Sequence, residues 1–285
     1  MTNEILVTGA TGFLGSRLVE ALQSEGYGVR SHSSRDGDIA TCPLPIEGAA
    51  HVFHLAAKSF VPESWTNPQA FYLANVMGTV NVLEHCRGQG TSLTLISSYV
   101  YGQPQKLPVA EDHPLSAHNP YAHSKILAEE LARFYEQHYG LRIVIVRPFN
   151  IYGPDQKPPF LIPFIVEQAV DQATPAIRLQ DLRPRRDYLY VDDAIERLLK
   201  TLNGSVQGTY NLGSGQSASV AEIAQLVCQA AETNKPLVSE DQPRAQEVMD
   251  VRADISRASN ELDWRPSTPL AAGIAKVVAA RRAKA

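Results

Sequence analysis

A glycine-spaced turn between the first apolar run and the first helical pattern does most to limit what this chain can fold into. Ile5-Leu6-Val7 runs into Thr8-Gly9-Ala10-Thr11-Gly12-Phe13-Leu14-Gly15, and Leu14 to Ser24 carries a helical pattern. Strand, glycine turn and helix in that order predict a cradle for the pyrophosphate of a dinucleotide. Gly9 permits a tight turn, Gly12 lets the backbone approach a phosphate, and Gly15 lets the helix sit close to the sheet. The N–H groups at the helix start, where Thr11, Phe13 and Leu14 also lie, supply the positive dipole end.

The same strand and helix rhythm continues. Val52-Phe53-His54-Leu55, Leu93-Thr94-Leu95-Ile96 and Ile143-Val144-Ile145-Val146 are continuous apolar runs, as expected of parallel strands covered on both faces. Helical patterns run from Gln69 to Cys86 and from Tyr121 to His138, the second with Asn119 as N-cap, Pro120 at the first position and Gly140 past the end. After Pro148 the prolines 154, 158, 159 and 163 mark a loop leaving the sheet. A helix follows Asp192-Asp193, and Thr209 to Leu212 reads as a strand returning to the main sheet. The expected fold is α/β: a Rossmann-type doubly wound parallel sheet with a smaller, interleaved C-terminal domain. Residues 1–150 plus about 187–213 form the dinucleotide-binding unit, and 151–186 with 214–285 form the other.

The charge balance of 26 basic against 30 acidic residues, net -4, speaks against a broad electrostatic footprint for nucleic acid or an anionic membrane. Cys42, Cys86 and Cys228 have no pairing or ligand spacing, and the eight histidines show none that demands a metal. The first residues lack a basic segment before a long apolar stretch, and no run approaches the roughly 20 apolar residues of a membrane span. These features imply a reduced, cytoplasmic protein with no metal site.

The second strand is expected to end near Val29 to Arg35, where NAD-preferring sites place an acid for the ribose 2′-hydroxyl. No acid stands at that tip. Ser33, Ser34 and Arg35 suit a 2′-phosphate instead, so the sequence favours NADP over NAD, with Asp36 or Asp38 as the alternative ribose ligand. Tyr121 and Lys125 lie four apart, on one helix face. An ammonium and an oxidised nicotinamide both favour a phenolate, so Tyr121 can move a proton to or from a sugar hydroxyl. Ser97 closes the preceding strand and can bond the same oxygen.

Four segments in chain order carry a resemblance: the glycine turn, His54-Leu55-Ala56-Ala57, Ser97-Ser98-Tyr99-Val100-Tyr101-Gly102 and Tyr121-Ala122-His123-Ser124-Lys125. Together they resemble an extended short-chain dehydrogenase/reductase of the nucleotide-sugar epimerase/dehydratase family. Arg147 to Pro154, Arg186 to Asp193 and Leu262 to Pro266 extend the likeness over nearly the whole chain. The resemblance implies Ser97, Tyr121 and Lys125 as catalytic residues. It implies cofactor contacts from Asp38-Ile39 at the adenine, from Leu55, Ala56, Ala57 and Pro148, and from Asn75, which braces the active-site strand. Asn150, Arg186 and Arg244 would hold the diphosphate of a nucleoside-diphosphate sugar. Lys58, Ser59, Glu63, Ser98 and Tyr99 would line the sugar pocket, with loop anchoring as the other reading of the first three. A homodimer built on the helices at Gln69–Cys86 and Tyr121–His138 is also implied.

The family's 4,6-dehydratases carry acidic residues after the catalytic serine, where this chain has Ser98-Tyr99. That leaves a 4-ketoreductase and a 4-epimerase, with a catalytically silent dinucleotide sensor as a different class. The connection from Asp38 to His51 is short for the family, and with the missing acid it tilts the reading towards the reductase.

Overall fold

The computed structural model describes residues 4–44, 48–242 and 247–284. β1 (Glu4–Thr8), α1 (Phe13–Ser24), β2 (Gly28–His32) and β3 (His51–His54) open the chain. Two short helices, α2 (Val61–Thr66) and α3 (Pro68–Tyr72), lead through a π-helical turn (Leu73–Met77) into α4 (Gly78–Gln89). Then come β4 (Ser92–Ile96), α5 (Pro120–Tyr139), β5 (Ile143–Pro148), β6 (Asn150–Tyr152), α6 (Leu161–Val170), β7 (Ile177–Leu179), β8 (Arg185–Tyr190) and α7 (Val191–Lys200). β9 (Gly208–Leu212), β10 (Ser217–Ser219), α8 (Val220–Ala230), β11 (Leu237–Ser239), α9 (Ser256–Leu262) and α10 (Leu270–Arg282) complete it.

Six strands form one parallel sheet in the order β2-β1-β3-β4-β5-β9. The expected return of Thr209–Leu212 is β9, paired with β5. Alternation along β1 shows why the buried strands read as unbroken apolar runs. Ile5 and Val7 enter one core with Leu18, Leu22 and Leu198, while Leu6 enters the other with Val82, Leu83 and Ala128. The chain order reverses between β1 and β3, and the crevice at the carboxyl ends of these two strands is where such sheets take a ligand. Between β2 and β3 the described residues form no strand or helix, so β2 is the sheet edge. The short connection seen in the sequence leaves no length for a further strand outside it.

α5 forms as its caps direct: the Asn119 side chain accepts from the Ala122 N–H at 2.7 Å, and Gly140 closes it at φ +69°. The single helix expected over 69–86 is instead α3, the π turn and α4. A second, three-stranded sheet sets β8 between β10 and β6, and β7 pairs with β11. β8 lies in that small sheet, and the α7 that follows it packs on α1. Among the described residues no helix is long and apolar enough to cross a membrane, and no group of acidic, Cys or His side chains has the arrangement of a metal site.

Candidate active site

The glycine turn is held by backbone. Gly9 has φ +71°, its N–H and that of Ala10 both donate to the His32 carbonyl, and a Cβ on it would stand 2.7 Å from the Ala56 nitrogen. A Cβ on Gly15 would collide with the Gly9 carbonyl oxygen. Gly12 is exposed, faces only Gly9 oxygen at 3.2 Å, and starts α1 with no capping side chain. Thr11 is exposed beside it, while Phe13 and Leu14 lean on the core. The start of α1 therefore presents backbone N–H groups that no side chain covers.

At the tip of β2 the expected hydroxyl pair is divided. The Ser33 N–H and hydroxyl each donate to Asp36 Oδ2 at 2.8 Å, and those bonds hold the Asp36 carboxyl below its ordinary range. Ser33 is buried, whereas Ser34, Arg35 and Asp36 are exposed. Folding Asp36 back brings a carboxylate to a strand end that has none in sequence. Asp38 is exposed and accepts from the Ala40 N–H through Oδ1 at 3.0 Å, and Ile39 packs against Gly78. Both ring nitrogens of buried His32 lack a partner.

Under the crevice, buried side chains tie three elements together. Thr8 Oγ1 bonds His54 Nδ1 at 2.8 Å, His54 Nε2 bonds Thr79 Oγ1 at 3.1 Å, and the Thr79 hydroxyl donates to the Asn75 carbonyl. Burial drives His54 down to about 3, so its ring is neutral. Asn75, on the π turn, accepts from the Lys58 N–H at 2.8 Å and donates to the Lys58 carbonyl and to Ser124 Oγ. It thereby fixes the loop after β3 that carries Leu55, Ala56 and Ala57 against the first turn of α5. A π turn costs helix geometry, and here it aims this one amide.

The proton-transfer candidates meet on α5 and at the end of β4. Tyr121 is half-buried, its ring edge-on to Phe71, and Lys125 is buried one turn on. Burial pushes Tyr121 up, and a hydrogen bond with Ser98 opposes it. Ser97 is buried against the Glu129 carboxylate, close enough to lower that carboxyl, yet its hydroxyl has no partner of hydrogen-bond geometry. Burial brings Lys125 down to about 8, with Glu129 pulling the other way. Glu129 in turn is gripped by Arg147, whose Nε and Nη2 donate at 2.9 and 2.7 Å, while Arg147 Nη1 reaches the Tyr101 hydroxyl at 2.9 Å. The sequence reading missed Glu129; its signal is the eight-residue spacing from Tyr121, which continues the Tyr121 and Lys125 stripe.

On the sugar side the expected ligands already hold protein partners. Arg186 pairs with Glu247 and donates to the Val248 carbonyl. Asn150 donates to the Asp187 carbonyl at 3.0 Å, and Lys58 pairs with Glu63 at 2.7 Å. Tyr99 donates to the Gly102 carbonyl at 2.7 Å, with burial holding its hydroxyl at about 12. Ser59 is exposed and Pro148 half-buried at the end of β5. Arg244 lies outside the described residues.

The model of the NAD dependent epimerase/dehydratase family matches residues 5–213, from β1 to the end of β9. The chain belongs to that family. It is 31% identical to the putative UDP-glucose 4-epimerase of Methanocaldococcus jannaschii, over 96% of this chain and 97% of the relative. It is also 31% identical to the GDP-6-deoxy-D-mannose reductase of Pseudomonas aeruginosa, over 93% of each. Among solved structures, the UDP-glucose 4-epimerase of Thermotoga maritima with UDP-glucose superposes with a TM-score of 0.92 at 26% identity, covering 99% of both chains. This family member is thus an enzyme of nucleotide-sugar chemistry that binds NAD or NADP, and its relatives include epimerases, a reductase and a dehydratase.

Proposed function

We propose that the enzyme is a nucleoside-diphosphate-hexose 4-epimerase working on a retained NAD, with Ser97, Tyr121 and Lys125 as its catalytic residues. The exposed Gly12 and uncapped start of α1 fit a dinucleotide pyrophosphate, because a Cβ or a capping side chain would occupy the phosphate's place. The observation that carries NAD over NADP is Asp36, pinned by two bonds to Ser33 at the end of β2. A carboxylate there accepts from ribose hydroxyls and repels a 2′-phosphate dianion. This reverses the tilt drawn from sequence, which counted Ser33 as a free hydroxyl.

The nicotinamide, when bound, supplies the acceptor and donor of hydride at sugar C4. Tyr121 then takes the C4 hydroxyl proton and returns it, as a phenolate supported by the Lys125 ammonium. Its own burial opposes ionisation, so Lys125 and the charge of the oxidised cofactor must supply the difference. Ser97, with an unspent buried hydroxyl, bonds the C4 oxygen. Arg186 and Asn150, with Arg244, take the diphosphate, and the sugar lies between the Rossmann unit and the C-terminal sheet. Elimination towards C6, the reaction of a dehydratase relative, is disfavoured here because no carboxylate follows Ser97 and Tyr99 is turned onto Gly102. Leu73, Met77, Phe134 and Tyr139 are exposed on the helical face from α3 to α5, which supports pairing of two copies there.

A 4-ketoreductase is the second reading, favoured by Ser34 and Arg35 standing exposed at the same tip. Denaturing freshly purified protein and identifying the released dinucleotide separates the two. Stoichiometric NAD+ supports the epimerase. An empty site that binds NADPH more tightly than NADH supports the reductase.

A further inference from the structure

Tyr121, Lys125 and Glu129 occupy successive turns of one α5 face, and the third member has no part in the proton transfer described above. Glu129 is fully buried, Lys125 and Arg147 almost so, which puts three ionised groups in the interior beside the crevice. Arg147 satisfies both oxygens of Glu129, and Arg133 adds a bond at 2.6 Å from the half-exposed side. Stability alone does not call for this arrangement, since well-packed apolar residues in place of a buried ion pair are often neutral or better.

Position explains more. The charged and titratable groups around Lys125 are Glu129 and Tyr121 on its own helix, neutral His54 from β3, and Arg147 from β5, which faces Glu129; Ser97 adds a hydroxyl from the end of β4. Glu129 is the one anion among them. We propose that Glu129 is a positioning residue of the proton-transfer site: its carboxylate, anchored by Arg147, keeps Lys125 an ammonium beneath Tyr121 although that side chain is buried. Glu129 lies one helical turn from Lys125, buried with it on the same face, and favours its charged form, on which the proposed phenolate of Tyr121 depends. Arg147 fixes the carboxylate, and Glu129 is the neighbour that favours the charged form of Lys125.

The proposal rests on the catalytic reading of Tyr121 and Lys125, so its test reads the phenolate directly, in protein saturated with NAD+. The near-ultraviolet tyrosinate titration of wild type minus that of Tyr121→Phe isolates Tyr121 from the other ten tyrosines. Glu129→Gln lets Lys125 lose its proton at lower pH, which moves the Tyr121 titration upward by about one pH unit or more. Glu129→Asp keeps the charge and leaves the titration nearly in place. Should Glu129→Gln fail to fold, the double variant Glu129→Met with Arg147→Met removes the pair without stranding the arginine and still moves the titration upward, by less because a like charge leaves with the carboxylate. A folded variant without the carboxylate whose titration stays in place overturns the proposal and leaves Glu129 a structural residue. If wild type shows no Tyr121 ionisation ahead of the other tyrosines, the catalytic reading falls first and takes the proposal with it.

Discussion

Around the glycine turn the groups that would meet a ligand are backbone N–H groups at the start of α1, left uncovered by any capping side chain. In the C-terminal half, Arg186 and Asn150 already hold Glu247, the Val248 carbonyl and the Asp187 carbonyl. One half is set by covalent geometry and close packing, which a ligand need not disturb. The other is set by side-chain pairs that a diphosphate must displace. A rigid cradle suits a cofactor that stays, and exchangeable pairs suit a substrate that leaves.

Filling the cradle is expected to have the largest effect. Gly15→Ala drives a methyl into the Gly9 carbonyl, so α1 must move off the turn, costing on the order of 1–3 kcal/mol in stability and more than about tenfold in NAD affinity. Calorimetry of NAD+ binding checks it; unchanged affinity would mean that the cradle is soft. In the other half, Arg186→Ala removes a guanidinium from the proposed diphosphate site and is expected to weaken UDP binding about tenfold. Glu247→Gln sharpens the contrast in the opposite direction. It frees Arg186 and is expected to tighten UDP binding about threefold, whereas a purely structural pair would give no gain.

Acid gives the most graded effect. His51 and His54 are both held down to about 3 by burial, so they stay neutral while the unfolded chain takes up protons. Their folded values are depressed, so the stability they contribute is complete above about pH 6.5 and is lost progressively as pH falls towards 3. Both lie on β3, and loss of protection in hydrogen exchange on mild acidification is expected to begin at the cofactor half. Loss starting in the C-terminal sheets would contradict that.

What the sequence shows and what it hides follow the same division. The strands, the glycine turn and α5 with Asn119 and Gly140 at its ends are legible because local chemistry dictates them. The π turn is not, since Leu73 to Met77 carries no proline or glycine to mark a change of winding. Ser33 reads as a free hydroxyl until a turn of three residues brings Asp36 back onto it. Glu129 looks like any solvent-facing helix glutamate until β5 brings Arg147 against it, a contact between residues 18 apart in sequence. The helical spacing marks the face that Glu129 shares with Tyr121 and Lys125, but nothing local names the arginine that tertiary packing brings to it.

In the proposed reaction Tyr121 moves the C4 proton of a nucleoside-diphosphate hexose while the bound cofactor is transiently reduced. Its most direct test adds UDP-glucose, UDP-galactose and other nucleoside-diphosphate hexoses in turn to NAD-loaded protein and follows reduced-nicotinamide absorbance. A rapid, substoichiometric rise is expected with at least one hexose, slowed by about a thousandfold in Tyr121→Phe, which still binds NAD normally. An equal rise in Tyr121→Phe, or none with any hexose, would contradict it.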